Sequence, residues 1–308
     1  MKTALFSHSD CLKHVEIPGH AEQRARLNAV LDALHAADLN LVEHEAPLAK
    51  REDLLRVHDA DYVDQILDNA PLEGWKQLDP DTAQSPGSAE AALRAAGAVI
   101  AAIDGVMAGE YTRAFCAVRP PGHHARPGSA MGFCLFNSIA IAAKYARDVH
   151  GFARVAVIDF DVHHGNGTQE MFWDETGLLY ASLHQEDFYP GTGKADECGK
   201  RGRIINAPLP AGTDGTSWRQ AYEDHIHPGL QDFAPNLILL SAGFDAHRDD
   251  PLAQFNLDST DFVWITDKLV ALAKETANGR VVSVLEGGYD LAALGRCSAA
   301  HVKALGKA

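Results

Sequence analysis

Short apolar runs rich in β-branched residues alternate along this chain with longer stretches of helical period. That alternation predicts parallel strands joined by crossover helices. The strand runs are TRAFCAV (112–118), RVAVIDF (154–160), LLYASL (178–183), NLILLSA (236–242) and RVVSVLE (280–286). Leu27, Val30, Leu31 and Leu34 form one stripe in AEQRARLNAVLDALHAA (21–37), and helices are also predicted over 88–108, 137–149 and 260–277, with a shorter one over 58–68. No repeat, low-complexity tract or linker rich in Pro, Gly or Ser interrupts the pattern. Residues 1–308 are therefore expected to form one domain of α/β class, with an open, mostly parallel sheet and helices on both faces. The stretch 71–87, with three prolines and two glycines, reads as a long surface loop beside a site.

In open parallel sheets ligands bind beyond the carboxyl ends of the strands. Four ends here carry unusual chemistry: RPPGHHARPG after the 112–118 run, DVHHGNG after 154–160, GFDAHRDDP after 236–242 and GGYD after 280–286. Taken singly, a His-His pair in a Pro/Gly loop is a solvated turn, one Asp at a strand end a helix cap, and Gly-Gly-Tyr a turn with a packed ring. The D-x-D-x-H segment carries more weight. With period two, Asp159, Asp161 and His163 would project to one side of a buried strand, and such a group is costly without a cation. Oxygens with an imidazole suit zinc, iron or manganese, and Asp245, after a neighbouring strand, is the best further ligand. An Asp/His/Asp set leaves a position open for water, as in a hydrolytic site.

Composition adds limits. Apolar residues make up 46% and charged residues 22%, ordinary for a globular protein, and the formal charge of −15 with no basic run argues against nucleic acid and anionic membranes as partners. Cationic substrates such as lysine side chains or polyamines fit that charge better. Five scattered cysteines without a C-x-x-C pair predict neither a disulfide framework nor a thiolate zinc site, and a cytoplasmic location is expected. No signal peptide and no apolar run long enough to cross a bilayer are expected.

RPPGHHARPGSAMGFCLFN, VIDFDVHHGNGTQEMF, YASLHQEDFYPGTG, SAGFDAHRDDPL and LEGGYD resemble, in order, the signatures of the histone deacetylase and acetylpolyamine amidohydrolase family. PGHAEQRARL and SPGSAEAALRAAGAV resemble its N-terminal part. The resemblance implies the arginase/deacetylase fold and a zinc-dependent deacetylase with Asp161, His163 and Asp245 as zinc ligands. It implies that His123 pairs with Asp159 and His124 with Asn166, that both histidines flank the metal-bound water, and that Tyr289 donates to the oxyanion after a flexible Gly287-Gly288. On these pairings His124 is the expected general base and His123 an electrostatic helper.

By the same resemblance Gly132, Phe133 and Tyr189 line an acyl-chain tunnel, and Asp81 is a rim residue that holds substrate amides. Leu252 stands where polyamine-selective relatives can carry a gatekeeper Glu. Asp159, Asp161, His163, Ser182 and Leu183 match a potassium site, and Phe172 and Leu178 a second one built from carbonyls. His184, His225, His227 and His247 receive no task. The implied substrate is an acylated lysine in a peptide or protein, with acetylpolyamines or other small acylated amines as the alternative. A two-manganese ureohydrolase would want an Asp where His247 stands, and a non-catalytic acyl-lysine binding module would have lost a zinc ligand or Tyr289.

Overall fold

The computed structural model describes residues 2–14 and 17–307. Among them ten strands occur: β1 (Thr3–Ser7), β2 (Leu41–Glu45), β3 (Lys76–Asp79), β4 (Thr82–Gln84), β5 (Arg113–Cys116), β6 (Val155–Asp159), β7 (Leu178–Gln185), β8 (Ile204–Leu209), β9 (Leu237–Ala242) and β10 (Val281–Leu285). Eight form one sheet in the order β2-β1-β5-β10-β9-β6-β7-β8, with every neighbouring pair parallel. The strands β5, β6, β7, β9 and β10 are buried along their whole length, as expected of parallel strands covered on both faces.

The helices are α1 (Arg24–Ala36), α2 (Arg51–Leu54), α3 (Ala60–Asp68), α4 (Ser88–Ala108), α5 (Ser138–His150), α6 (Asn166–Phe172), α7 (Gly215–Ala221), α8 (His227–Phe233), α9 (Ser259–Thr276) and α10 (Leu291–Leu305). On one face α10 packs between α1 and α9, while α4 and α5 pack together on the other. Alternate strand residues feed the two layers. Phe115 of β5 meets His301 of α10, whereas Phe6, level with Cys116, meets Tyr111, which lies on Gly105 of α4.

Two expectations need correction. The stretch 71–87 is not all loop, because β3 and β4 pair as an antiparallel ribbon within it. The helix α4 is long and apolar enough to cross a bilayer, contrary to the expectation that no such run exists, but 67% of its most apolar window is buried. Its apolarity is that of a core helix, enclosed by β1, β5 and α5.

Candidate active site

The loops after β5, β6, β9 and β10 meet at one edge of the sheet, although their strands are far apart in sequence. The loop after β5 reaches across the end of β10 to the end of β6, and Glu286, the residue just after β10, supports it from below. Glu286 Oε2 accepts the backbone N–H of Gly122 (2.7 Å) and of His123 (3.2 Å), and its Oε1 accepts the Ser241 hydroxyl of β9 (3.0 Å). Sequence reasoning missed Glu286, yet a carboxylate closing an apolar strand run is the same signal that singled out Asp159.

The strand β6 ends at Asp159, so the D-x-D-x-H segment does not continue as one strand with three side chains on one side. Asp159 turns to the histidine pair, with Oδ2 2.9 Å from His123 Nδ1 and accepting the Tyr180 hydroxyl at 3.0 Å. The chain then tightens: Asp161 N–H donates to Asp159 Oδ1 (3.2 Å) and His163 N–H to Asp161 Oδ1 (2.9 Å). This turn brings His163 Nδ1 to 3.1 Å from Asp161 Oδ1 and 3.2 Å from Asp245 Oδ2. One donor atom from each of these three buried residues lies within 4.8 Å of the other two.

The donors fit a divalent cation. Their charge is concentrated in a space that only glycine leaves free, since a Cβ on Gly287 would run into Asp245 Oδ2 and lie 2.6 Å from Asp161 Oδ2. Backbone groups fix the carboxylates: Gly287 N–H donates to Asp161 Oδ2 (2.8 Å) and Val162 N–H to Asp245 Oδ1 (3.0 Å). Burial, and then the neighbouring charge of Asp161, push the Asp245 carboxyl up to about 7. Burial opposes a charged imidazole at His163, but hydrogen bonds to Asp161 and Asp245 and their charges lift it to about 10. So strong a pull on a proton is what a carboxylate pair exerts in a cation's place.

His123 and His124 stack with ring centroids 4.0 Å apart, and their environments drive them in opposite directions. At His123 burial disfavours the charge, but the carboxylates of Asp159, Asp161 and Glu286 and the bond to Asp159 raise it to about 10. At His124 burial, and then repulsion from His123 and His163, hold the pKa well below the usual imidazole value. Its Nδ1 lies 2.8 Å from Asn166 Oδ1, an acceptor, which assigns the proton to Nδ1 and leaves Nε2 with a lone pair.

Tyr289 is half-buried, with Arg26 over its ring at 4.8 Å and the Phe133 ring edge-on at 5.9 Å. Burial raises its phenol pKa well above 10, so it is a proton-bearing donor. Its loop is pinned from two sides: Arg26 donates to the carbonyls of Gly288 (2.6 Å) and Glu286 (2.5 Å), and Asp250 Oδ2 accepts Tyr289 N–H (2.7 Å). Gly288 sits at φ +122, open only to glycine, so its freedom is used in one fixed shape. Neither Arg26 nor Asp250 was anticipated; a fully buried Arg is legible only once its carbonyl partners are known.

The Tyr189 ring stands edge-on to His124 at 5.2 Å, and Phe188, also unanticipated, stacks on His163 at 5.5 Å. Gly132 packs on the His124 ring, and both Gly132 (φ +56) and Phe133 (φ +68) are left-handed, a strained turn for Phe. Asp81 holds that turn. Its Oδ1 accepts Gly132 N–H (3.0 Å) and the Thr82 hydroxyl (2.8 Å), and Thr82 Oγ1 accepts Phe133 N–H (2.9 Å). Leu252 is half-buried, its N–H on Asp250 Oδ1 at 3.0 Å.

Ser182 pairs in register with Asp159, and its hydroxyl lies 2.9 Å from His184 Nδ1; Leu183, Phe172 and Leu178 are buried. His184 is buried and also bonded to the Gly193 carbonyl (2.9 Å), and His247 Nδ1 accepts Asp249 N–H (3.1 Å). His225 is exposed, and His227 lies near the Tyr222 hydroxyl at 3.3 Å.

The profile of the histone deacetylase domain matches residues 20–305. The chain is 40% identical over 330 residues to a histone deacetylase-like amidohydrolase of Pseudomonas aeruginosa, covering 99% of this chain and 86% of that protein. It is 37% identical over 352 residues to type-2 histone deacetylase 2 of Dictyostelium discoideum, where 99% of this chain spans only 21% of the relative. Among solved structures, the HD domain of HDA15 superposes with a TM-score of 0.94 at 34% identity, over 100% of this chain and 89% of that one. The architecture is therefore the arginase/deacetylase fold.

Proposed function

The chain belongs to the histone deacetylase family, and from that premise we propose that this hydrolase is zinc-dependent and removes acetyl or other acyl groups from the amine of acyl-lysine side chains. The observation that carries the reading is a base-ready imidazole, His124, with its ring centroid 6.1 Å from that of His163 in the buried Asp161, His163, Asp245 set. Those three residues would hold the ion, which when bound supplies Lewis acidity and a water of lowered pKa.

His124 takes a proton at Nε2, because Asn166 occupies Nδ1 and the low pKa keeps the ring neutral. It returns that proton to the departing amine, acting as base and then acid. His123 keeps its charge and stabilises negative charge without exchanging a proton. Tyr289 donates its phenol hydrogen to the developing oxyanion, and Gly132, Phe133 and Tyr189 enclose the methylene chain. Asp81 acts on substrate through the turn it anchors. Asp159, Ser182 and Leu183 would take a potassium ion mainly through carbonyl oxygens.

The test is zinc-dependent acetate release from acetyl-lysine peptides, longer acyl-lysine peptides, N-acetylputrescine and N-acetylspermidine, with wild type and Tyr289→Phe. Release from the peptides, lost in the variant, is expected. Preference for the small amines would replace the substrate, and release from none of them would leave a binding module.

A further inference from the structure

A cavity of about 670 Å³ lies behind the residues proposed to enclose the methylene chain. Met131 lines it beside Gly132, Pro190 lines it beside Tyr189, and Asn166 lines it while holding His124. Its outer wall is Trp173, an aromatic ring left 37% exposed. Two carboxylates and one cation contribute to the lining. Glu170 is spent on Arg126, which grips it in a bidentate pair at 2.6 and 3.2 Å. Glu197 is not: its Oε2 accepts Gln169 Nε2 (2.7 Å) and Gly193 N–H (3.1 Å), while Oε1 has no hydrogen-bond partner among the described residues. Both of the bonds that fix Glu197 come from uncharged donors, no ion pair among the described residues offsets it, and it shares the lining with the Trp173 indole.

We propose that this groove is a subsite for a basic side chain, arginine or lysine, flanking the acyl-lysine of a peptide substrate. The proposal rests on the acyl-lysine reading and deepens it. Charge complementarity fixes the occupant: a guanidinium or ammonium stacks on Trp173 and meets Glu197 Oε1, with its aliphatic stem on Met131 and Pro190. N-acetylputrescine, whose chain is only as long as a lysine stem, has no flanking side chain to place there.

The experiment uses acetyl-lysine hexapeptides flanked by arginine or by alanine, with acetyl-lysine methylamide as a minimal substrate, on wild type, Trp173→Ala and Glu197→Gln. We expect wild type to favour arginine flanks by about fivefold in kcat/KM and in peptide Kd at low salt. Both variants should lose that preference to within about twofold while turning over the methylamide as wild type does. A preference for arginine that persists in both variants, or one that wild type lacks, overturns the subsite. If no acetyl-lysine compound is hydrolysed but arginine-flanked peptides bind in a way that needs Trp173 and Glu197, the subsite stands and the activity reading falls.

Discussion

Adjacent histidines with identical intrinsic chemistry part ways here because one is given a carboxylate and the other an amide. His124→Ala should lower kcat by about two to four orders of magnitude, and His123→Ala by less, in steady-state assays at neutral pH; the reverse order would exchange their roles. Asn166→Asp sets a negative charge on His124 Nδ1 and so raises its pKa. Since the base must be unprotonated, the acid limb of the kcat/KM profile should move to higher pH by about one unit, with activity lost on the acid side and retained at neutrality and above. Tyr289→Phe should cost about two to three orders of magnitude in kcat at unchanged zinc content. Asp161, His163 and Asp245 could be read from the sequence because polar residues at the end of a buried run demand a partner. Glu286 carries the same signal at the end of β10, whereas Arg26 and Asp250 could not be read, since each acts on backbone groups whose position only the fold supplies.

At the level of elements, the loop after β10 is the piece in which single atoms matter. Gly287→Ala would place a methyl between Asp161 and Asp245, and zinc affinity should fall at least about tenfold by competition with a chromophoric chelator. Native-like circular dichroism in the same variant would separate this from misfolding. Leu252→Glu adds a carboxylate beside the Asp250 turn that carries Tyr289. Relative kcat/KM should move toward acetylpolyamines, and unchanged ratios would remove Leu252 from the substrate path. Elements with a strong pattern were legible, the apolar stripe of α1 and the unbroken apolar run of β6 among them. The edge strand β2 was not, because its half-exposed LVEHE has no buried face to write a pattern. Nor was α10, whose buried face is built largely of small residues, Ala293, Gly295, Cys297, Ser298 and Ala304, that contrast little with its exposed one. The ribbon β3–β4 was hidden by prolines that do mark turns, while its pairing depends on partners across the turn.

For the molecule as a whole, two acids and an imidazole crowded into the protein's interior would make a bound cation a part of folding stability. Zinc in excess over its Kd should raise Tm by several degrees, and dipicolinate should reverse the shift. Asp245→Ala should abolish the response while leaving a folded chain.

The place of β10 between β5 and β9 has a consequence for synthesis. On one side of β10, β5 leads into the loop with His123 and His124; on the other, β6 and β9 lead into those with Asp161, His163 and Asp245. A ribosome has released both groups of strands before it delivers the one strand that joins them. A nascent chain could thus gather Asp161, His163 and Asp245 on one half-sheet while His123 and His124 wait on the other. On the proposed function, water activation would be withheld until that strand slides in.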